Sequence, residues 1–333
     1  MQALNLADFN RLELQTLPVP VPTDPQDVVV RVRAAGVCGS DLHGYTGRTG
    51  RRKPPIVMGH EAAGEVVAVG GAVQRVRPGD RVAIQPLVYR PDPATGRVTR
   101  YLIGMNLPGA YAEYTLVPEG NLYPIPDTLP FAQAALTEPV AVAVRAVSTA
   151  QVQPYDSVLV IGAGTIGLLT LQILRLAGAG SVVVSDVSDI RLDAARAMGA
   201  SATINPETQD FSAFANEFTG GVGFDVTVEA VGITPTVGQS ISAVRDGGTI
   251  VWIGNSQRMV EIDMQAIVTR ELRLFGTYGM SERDFRRALH MLSDGRIATE
   301  RLVTRYATLA EGPALFDELL SDPAVIKCVI EMG

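Results

Sequence analysis

Two short segments near the amino terminus carry most of the side chains in this sequence that could bind a metal ion. The chain has three histidines and two cysteines, and Cys38, His43 and His60 lie close together along it. Cys38, His60 and a carboxylate would supply the three protein ligands of a zinc site that keeps one position open for water or substrate. Taken singly, each also fits an ordinary role, Cys38 as a buried thiol and His60 as a loop histidine.

A glycine-rich segment in the middle of the chain has the spacing of a phosphate-binding turn. Gly162, Gly164 and Gly167 form the pattern G-x-G-x-x-G between a predicted apolar strand and a predicted helix. The first glycine allows a tight turn, the second lets a pyrophosphate approach the backbone, and the third lets the helix pack on the strand. Ile166 lies in the same turn, where free N–H groups at the helix start would bind the phosphates. The alternative is a glycine-rich turn in a domain that binds no cofactor.

The apolar strand that follows this turn ends at an acidic residue. Asp186 lies about 20 residues beyond the last glycine, where a carboxylate accepts hydrogen bonds from the adenosine ribose and repels a 2′-phosphate. The sequence therefore predicts NAD as the cofactor in preference to NADP. Arg191, a few residues later, would weaken this preference if it reached the same phosphate.

The elements that would hold these residues change in character along the chain. In the first third, alternating apolar residues and turn signals predict short, closely spaced strands, which suggest a small barrel or sandwich. From Asp156 onward, apolar strands alternate with helical segments, which indicates a parallel sheet covered on both faces. The predicted strands of that sheet are 157–161, 181–185, 225–229, 249–253 and 272–275. The predicted helices are 165–177, 190–198, 211–218, 234–244 and 264–270, with 282–293 and 311–320 in the tail before a last strand at 325–331.

Length and composition bound the class of protein. With 333 residues the chain suits two domains. Its 47% of hydrophobic and 19% of charged residues exclude a disordered chain and a coiled coil, and its net charge of −7 disfavours nucleic-acid binding. The uncharged stretch 158–174 is interrupted by glycines, so it predicts a buried strand and helix and not a membrane span. The absence of a cysteine framework and of a signal peptide indicates a cytoplasmic protein.

Several segments together resemble the zinc-dependent medium-chain dehydrogenases, and among them the branch of polyol (sorbitol-like) and threonine dehydrogenases. In the family's order, these segments are 36–43, 59–66, 79–82, 138–139, the glycine pattern and 223–226. The resemblance implies an α/β protein with a GroES-like β-rich catalytic domain over residues 1–140, completed by 277–333. It implies a Rossmann domain with a doubly wound parallel sheet over 141–276, and a homo-oligomer, either a dimer or a tetramer.

The resemblance also assigns roles to the candidate metal ligands. Cys38 and His60 match zinc ligands, and Glu61 matches an acid that ligates zinc in some members or states. Glu138 stands where alcohol dehydrogenases have cysteine and polyol dehydrogenases have glutamate, so both glutamates stay candidates for the third ligand. The region 85–109 has no cysteine, whereas many relatives hold a second, structural zinc there with four cysteines. We therefore expect one zinc per subunit.

Ser40 and His43 match the proton relay of this family. Ser40 would bind the substrate oxygen, and the proton would pass through the nicotinamide ribose to His43, a side chain that titrates near neutrality. Zinc would lower the pKa of the substrate hydroxyl. The implied reaction is the NAD-dependent oxidation of a secondary alcohol, a polyol or sugar alcohol, to a ketone. The alternatives are a zinc-free quinone or enoyl reductase of the same superfamily and a catalytically silent dinucleotide-binding protein.

The segment 48–53, between the two zinc motifs, is unusually basic for a chain of negative net charge. It contains Arg48, Arg51, Arg52 and Lys53. One interpretation is a solvated loop or an oligomer contact. The other is that one arginine recognises a phosphate or carboxylate on the substrate, because a guanidinium binds such groups with two hydrogen bonds.

Overall fold

The protein is described from a computed structural model, which covers residues 1–92, 94–322 and 324–333. These residues form two compact units. The first comprises Met1–Glu138, Phe285–Thr299 and Val303–Gly333, and the second comprises Pro139–Asp284 and Glu300–Leu302. The division into domains at 1–140 with 277–333 and at 141–276 stays a prediction. Among the described residues, no helix has the length and apolar character that crossing a bilayer requires.

The first unit is rich in β-structure. Up to Glu138 its elements are β1 (Gln2–Asp8), β2 (Arg11–Thr16), β3 (Asp27–Val37), α1 (Gly39–Tyr45), β4 (Ile56–Val57), β5 (Glu61–Val69), β6 (Arg81–Ile84), β7 (Leu87–Pro91), β8 (Val98–Leu102), β9 (Tyr114–Pro118), β10 (Leu122–Pro124) and α2 (Phe131–Ala134). The next elements are α3 (Thr137–Ala150), β11 (Ser157–Ile161), α4 (Thr165–Leu176), β12 (Ser181–Ser185), α5 (Asp189–Ala197), β13 (Ala202–Ile204), α6 (Phe211–Phe218), β14 (Phe224–Glu229), α7 (Thr234–Ala243), β15 (Val244–Trp252), α8 (Met264–Thr269) and β16 (Arg273–Gly276). The chain ends with α9 (Glu282–Ser293), β17 (Val303–Thr308), α10 (Gly312–Ser321) and β18 (Lys327–Glu331).

The main sheet of the first unit has β3 near its centre. Its strand order is β10-β6-β5-β3-β18-β17, and β9 also pairs with β3. The register places Gly36 opposite Glu61 on β5 and Val37 opposite Cys328 on β18. Because β3 has neighbours on both sides and cover on both faces, Val29 is buried as well as the alternating valines that the sequence pattern places on one face. This pairing sets the end of β3 beside the start of β5 and beside the carboxyl-terminal strand.

Two smaller sheets complete the β-structure of the first unit. One has the strand order β2-β1-β4, and the other is the antiparallel pair β7-β8. The sequence analysis did not single out β1 or β2. The partner of β1 on its far side, β4, is only two residues long, so no local pattern marks that pairing.

The second unit is built on a six-stranded parallel sheet with the order β13-β12-β11-β14-β15-β16. Counted from β11, this is the order 3-2-1-4-5-6 of doubly wound nucleotide-binding sheets. The residues of β11 from Val158 to Ile161 are all buried, as expected for a strand covered by helices on both faces. The predicted parallel α/β architecture is confirmed. In such sheets, ligands bind at the carboxyl ends of the strands where the order reverses, here beside β11.

Candidate metal centre and dinucleotide site

Three side chains from neighbouring strand ends meet in the first unit and could hold a metal ion. Cys38 follows β3 and caps the start of α1, whereas His60 immediately precedes β5 and Glu61 opens it. One donor atom from each residue, the sulfur, an imidazole nitrogen and a carboxylate oxygen, lies within 4.8 Å of the other two. His60 and Glu61 are buried and Cys38 is half-buried. The antiparallel register of β3 and β5 therefore assembles the group.

The second predicted carboxylate, Glu138, lies near this group but outside it. Glu138 is buried in the first turn of α3, and its charge interacts with those of His60 and Glu61. Burial, opposed by His60 and reinforced by Glu61, raises the pKa of Glu138 to about 7. Among the described residues, the set of donor atoms within the 4.8 Å limit includes Glu61 and leaves out Glu138.

Asp41 is a fully buried carboxylate beside His60. It accepts hydrogen bonds from the backbone N–H of Cys38 (2.9 Å) and the hydroxyl of Tyr111 (2.6 Å), and it forms an ion pair with Arg52. Nδ1 of His60 lies 3.4 Å from Asp41 Oδ1, at ion-pair distance, which leaves Nε2 as the nitrogen available to a metal. Burial acts to raise the pKa of Asp41, but Arg52 and His60 hold it well below its usual range.

Lys327 is a second buried charge at this site, and the sequence analysis did not identify it. It opens β18, forms an ion pair with Glu61 and donates a hydrogen bond from Nζ to the carbonyl of Val37 (2.9 Å). Burial acts to lower the pKa of Lys327, but the charges of Glu61 and Cys38 raise it by more. The available signal was its rarity, because Lys53 and Lys327 are the only lysines in the sequence.

The donor set of this group fits zinc. A thiolate, an imidazole and a carboxylate are ligand types of catalytic zinc sites, which use three protein ligands and keep a fourth position open. Oε1 of Glu61 is buried and has no hydrogen-bond partner among the described residues. A buried polar atom without a partner is costly, and a bound cation would satisfy it.

Ser40 and His43, the predicted relay residues, lie three positions apart on α1 and so share one side of the helix. Both are half-buried. Burial lowers the pKa of His43, and the positive charge of Arg48 lowers it further. A lowered pKa keeps the imidazole neutral, and therefore able to accept a proton, down to a lower pH.

One arginine of the 48–53 segment points into the protein. Arg52 is 2% exposed, and all three of its guanidinium nitrogens are bonded to protein oxygens. The expectation that an arginine of this segment recognises an anionic substrate group is therefore wrong for Arg52. Arg48 and Arg51 are exposed, and for them it stays a prediction.

In the second unit, the glycine pattern forms the turn between β11 and α4. Gly162 has φ +99°, a conformation that favours glycine. A Cβ on Gly167 would overlap the carbonyl oxygen of Gly162, so α4 can pack on the turn only with glycine there. Gly164 caps α4, and a Cβ there would meet no protein atom within 4 Å. That open side and the free N–H groups near Ile166 leave room for a pyrophosphate at the helix start.

Asp186 follows β12 and binds the turn directly. Its Oδ2 accepts a hydrogen bond from the backbone N–H of Ala163 (2.6 Å), and its Oδ1 accepts one from Ser188 (2.9 Å). The carboxylate thus orients the glycine turn, a role that the sequence analysis did not include. Arg191 lies on α5, half-buried, and its Nε is buried without a hydrogen-bond partner among the described residues.

Glu229, at the end of β14, also shapes this region and was not predicted. Its Oε1 accepts hydrogen bonds from the backbone N–H groups of Val231 (2.9 Å) and Gly232 (2.6 Å) and from the hydroxyl of Thr236 (2.7 Å). It fixes the loop in which Val231 approaches Gly162, since a Cβ on that glycine would lie 2.7 Å from Val231 Cγ2. A buried acid at the end of an apolar strand is the signal that could have found it.

Comparison with known proteins agrees with both sites. Residues 24–127 match the family described as the alcohol dehydrogenase GroES-like domain, and residues 165–294 match the family described as zinc-binding dehydrogenase. Sorbitol dehydrogenase of Bacillus subtilis (strain 168) is 32% identical over 323 residues, which cover 93% of this chain and 91% of that protein. D-xylulose reductase A of Aspergillus niger is 32% identical over 329 residues, which cover 94% and 92%.

Solved structures show the same similarity in three dimensions. 2R,3R-butanediol dehydrogenase from Bacillus subtilis superposes with a TM-score of 0.89 at 29% identity, over 100% of this chain and 99% of that one. A chain from Sinorhizobium meliloti 1021, described as a zinc-binding dehydrogenase and solved with bound NADP, gives 0.90 at 32% identity over 99% of both chains. The predicted family, fold class and dehydrogenase activity are confirmed, and neither the zinc-free reductase nor the silent protein is favoured. The chain belongs to the zinc-dependent medium-chain dehydrogenases, in the branch of the polyol dehydrogenases.

Proposed function

We propose that this protein oxidises a secondary hydroxyl group of a polyol or sugar alcohol to a ketone, with NAD as the hydride acceptor. The observation that carries the proposal is the buried group of Cys38, His60 and Glu61, whose donor atoms suit a catalytic zinc. The similarity to proteins named sorbitol dehydrogenase and D-xylulose reductase supports a polyol as the substrate class.

Cys38 and His60 would hold one zinc ion, with Glu61 or Glu138 as the third ligand. When bound, zinc supplies a Lewis acid that lowers the pKa of the substrate hydroxyl. Asp41 faces Nδ1 of His60 and keeps the other ring nitrogen directed at the ligand group. Buried carboxylates need a compensating charge, and Lys327 provides it for Glu61.

The proton and the hydride leave the substrate by different routes. Ser40 would bind the substrate oxygen, and His43, on the same side of α1, would receive the hydroxyl proton and release it to water. The hydride passes from the carbinol carbon to NAD. One secondary alcohol and one NAD thus give one ketone, one NADH and one proton.

The cofactor assignment rests on the carboxylate of Asp186. A 2′-phosphate on the adenosine ribose would meet its negative charge, whereas two ribose hydroxyls would donate hydrogen bonds to it. The similar chain from Sinorhizobium meliloti was solved with NADP, so the preference of this chain requires its own measurement. Arg191 is the residue that would favour NADP.

A homo-oligomer, a dimer or a tetramer, belongs to the same proposal. β16 ends the six-stranded sheet and pairs with β15 alone. Phe275 on this strand is 44% exposed, and Met264 and Val268 on α8 are each 62% exposed. An unpaired strand edge beside exposed apolar side chains supports pairing with a second copy. A cytoplasmic location is supported by two free cysteines, because a thiolate ligand needs a reducing compartment.

Two measurements on the purified protein test this function. Elemental analysis should find one zinc per subunit, and a panel of polyols, sugar alcohols and simple alcohols should give NADH only with secondary alcohols. The panel should include matched pairs with and without a phosphate or carboxylate, because Arg48 and Arg51 remain exposed near the metal motifs in sequence. A protein that binds no zinc, or that reduces quinones but oxidises no alcohol, would contradict the proposal.

A further inference from the structure

The guanidinium group of Arg52 joins two separate segments of the first unit beneath the metal group. Its Nε donates a hydrogen bond to the carbonyl of Gly104 (2.7 Å), and one terminal nitrogen donates to the carbonyl of Ser40 (2.7 Å). The other terminal nitrogen forms the ion pair with Asp41. One side chain thereby binds the first turn of α1 and the backbone that follows β8.

The surrounding structure is shaped to accept this side chain. Arg52 is among the largest side chains that are almost completely buried. A Cβ on Gly44 of α1 would overlap its guanidinium, so the helix has glycine at the point of contact. A buried charge persists in a protein only when it is paired and its hydrogen bonds are satisfied, and Arg52 meets both conditions.

Both contacts of Arg52 lead to His60. Oδ1 of Asp41, which pairs with Arg52, is also the atom that lies 3.4 Å from Nδ1 of His60. Gly104, which accepts the bond from Nε, lies against Gly59, because a Cβ on Gly104 would overlap the carbonyl of Gly59. Arg52 therefore constrains the carboxylate that faces the imidazole and the backbone segment that precedes it.

We propose that Arg52 is a positioning residue of the metal centre, which holds Asp41, and through it His60, in the orientation for binding zinc. The inference rests on the proposed function only in naming zinc as the metal. The same guanidinium holds the backbone of Ser40, so it also sets where the hydroxyl that would bind the substrate oxygen can lie. Only a planar fork reaches three acceptors in different directions, so lysine is not an equivalent replacement.

The test compares Arg52→Met and Arg52→Lys with the wild type and with two controls. Arg77→Met removes an arginine that is 87% exposed, in the same unit. Leu12→Ala removes part of a buried side chain in the three-stranded sheet and so reproduces a loss of stability away from the metal group. Zinc release to a chromophoric chelator, the visible absorption of the Co²⁺-substituted protein, the melting temperature, kcat and KM are measured for each.

We expect Arg52→Met to release zinc about 10- to 100-fold faster, as is typical when a residue behind a metal ligand is removed. Its Co²⁺ absorption should change, and kcat should fall while KM for a neutral polyol stays constant. Arg52→Lys should lie between Arg52→Met and the wild type, because it keeps the charge but loses the fork. Both controls should keep the wild-type Co²⁺ spectrum and release rate, including Leu12→Ala at its lower melting temperature.

The proposal is overturned if Arg52→Lys, which retains the charge required for folding, shows the wild-type spectrum and release rate. It is also overturned if Arg52→Met alters only KM for anionic substrates, or if Leu12→Ala accelerates zinc release as much as Arg52→Met does. Zinc release and the Co²⁺ spectrum do not depend on the substrate. A failure of the polyol assay in the wild type would therefore reject the proposed function and leave the Arg52 test readable.

Discussion

The metal group and the dinucleotide turn are built in opposite ways. The metal group is made of charged and polar side chains, and Asp41, Glu61 and Lys327 are buried there with at most 1% of their surface exposed. The dinucleotide turn is made of backbone, and two of its glycines are required because a Cβ would meet other atoms. The first site should therefore be sensitive to charge, and the second to the volume of a single methyl group.

This difference also separates what each site can tolerate. Buried charges are stable only in pairs, so changing one residue of the metal group leaves its partner uncompensated. The turn depends on close packing, where an added methyl group has no space into which to move. Variants of the two sites should accordingly fail in different assays, and each should leave the function of the other site intact.

The largest effect is expected from removing the sulfur ligand. Cys38→Ala should lose its zinc, and kcat/KM should fall about 10³-fold or more, because the Lewis acid contributes several kcal/mol to the barrier. NADH binding, measured by fluorescence titration, should be retained, since the turn belongs to the other unit. Cys328→Ala removes the other thiol and should keep its zinc. Full activity in Cys38→Ala would show that the ligand assignment is wrong.

The next effect concerns the volume limit at the turn. Gly167→Ala should weaken NADH binding strongly and lower the stability by about 1–3 kcal/mol, because the methyl group overlaps the carbonyl of Gly162. Gly164→Ala is the matched variant, because its methyl group meets no protein atom within 4 Å. It should keep the wild-type melting temperature and still bind NADH more weakly, since the methyl group enters the space for the pyrophosphate. Equal melting temperatures of the two variants would contradict the packing argument, and zinc content should be unchanged in both.

A smaller effect tests the one charge on which the turn depends. Asp186→Ser should relax the preference for NAD over NADP about 10- to 100-fold, since a charge-assisted interaction with the ribose and a repulsion of the 2′-phosphate are lost together. Asp186→Asn keeps an oxygen that can accept from the N–H of Ala163 and removes only the charge. If the wild type uses both cofactors equally well, the role of Asp186 in selection is wrong.

The smallest effect is a displacement of the pH profile by a charge near the metal group. Arg48 lowers the pKa of His43, so Arg48→Met should raise that pKa. A protonated His43 cannot accept the substrate proton, and the loss of kcat/KM on the acid side should then begin at a higher pH than in the wild type. His43→Ala should abolish this limb and keep the zinc. An unchanged profile in Arg48→Met would separate His43 from the relay.

The sequence alone determined the features that depend on neighbouring residues. The glycine pattern, the strand before it and the helix after it are contiguous, so their spacing predicts the turn between β11 and α4. The strands of the parallel sheet were predictable because short, continuous apolar runs between helical segments are typical of strands buried on both faces. Cys38, Ser40 and His43 fall in one short motif, and with His60 and Glu61 they placed the chain in its family.

Tertiary structure alone decided how the charges around the metal group are compensated. Lys327 is 290 residues from Val37, whose carbonyl it binds, and only the pairing of β18 with β3 brings them together. Arg52 stands in a basic segment that looks solvated in sequence, yet its partners include Gly104, 52 residues further along the chain. A buried charge is stable only beside its partner, and a local sequence pattern cannot show which distant residue the fold will bring there. For the same reason the sequence left Glu61 and Glu138 as equal candidates, and the register of β3 and β5 placed the donor atom of Glu61 in the ligand group.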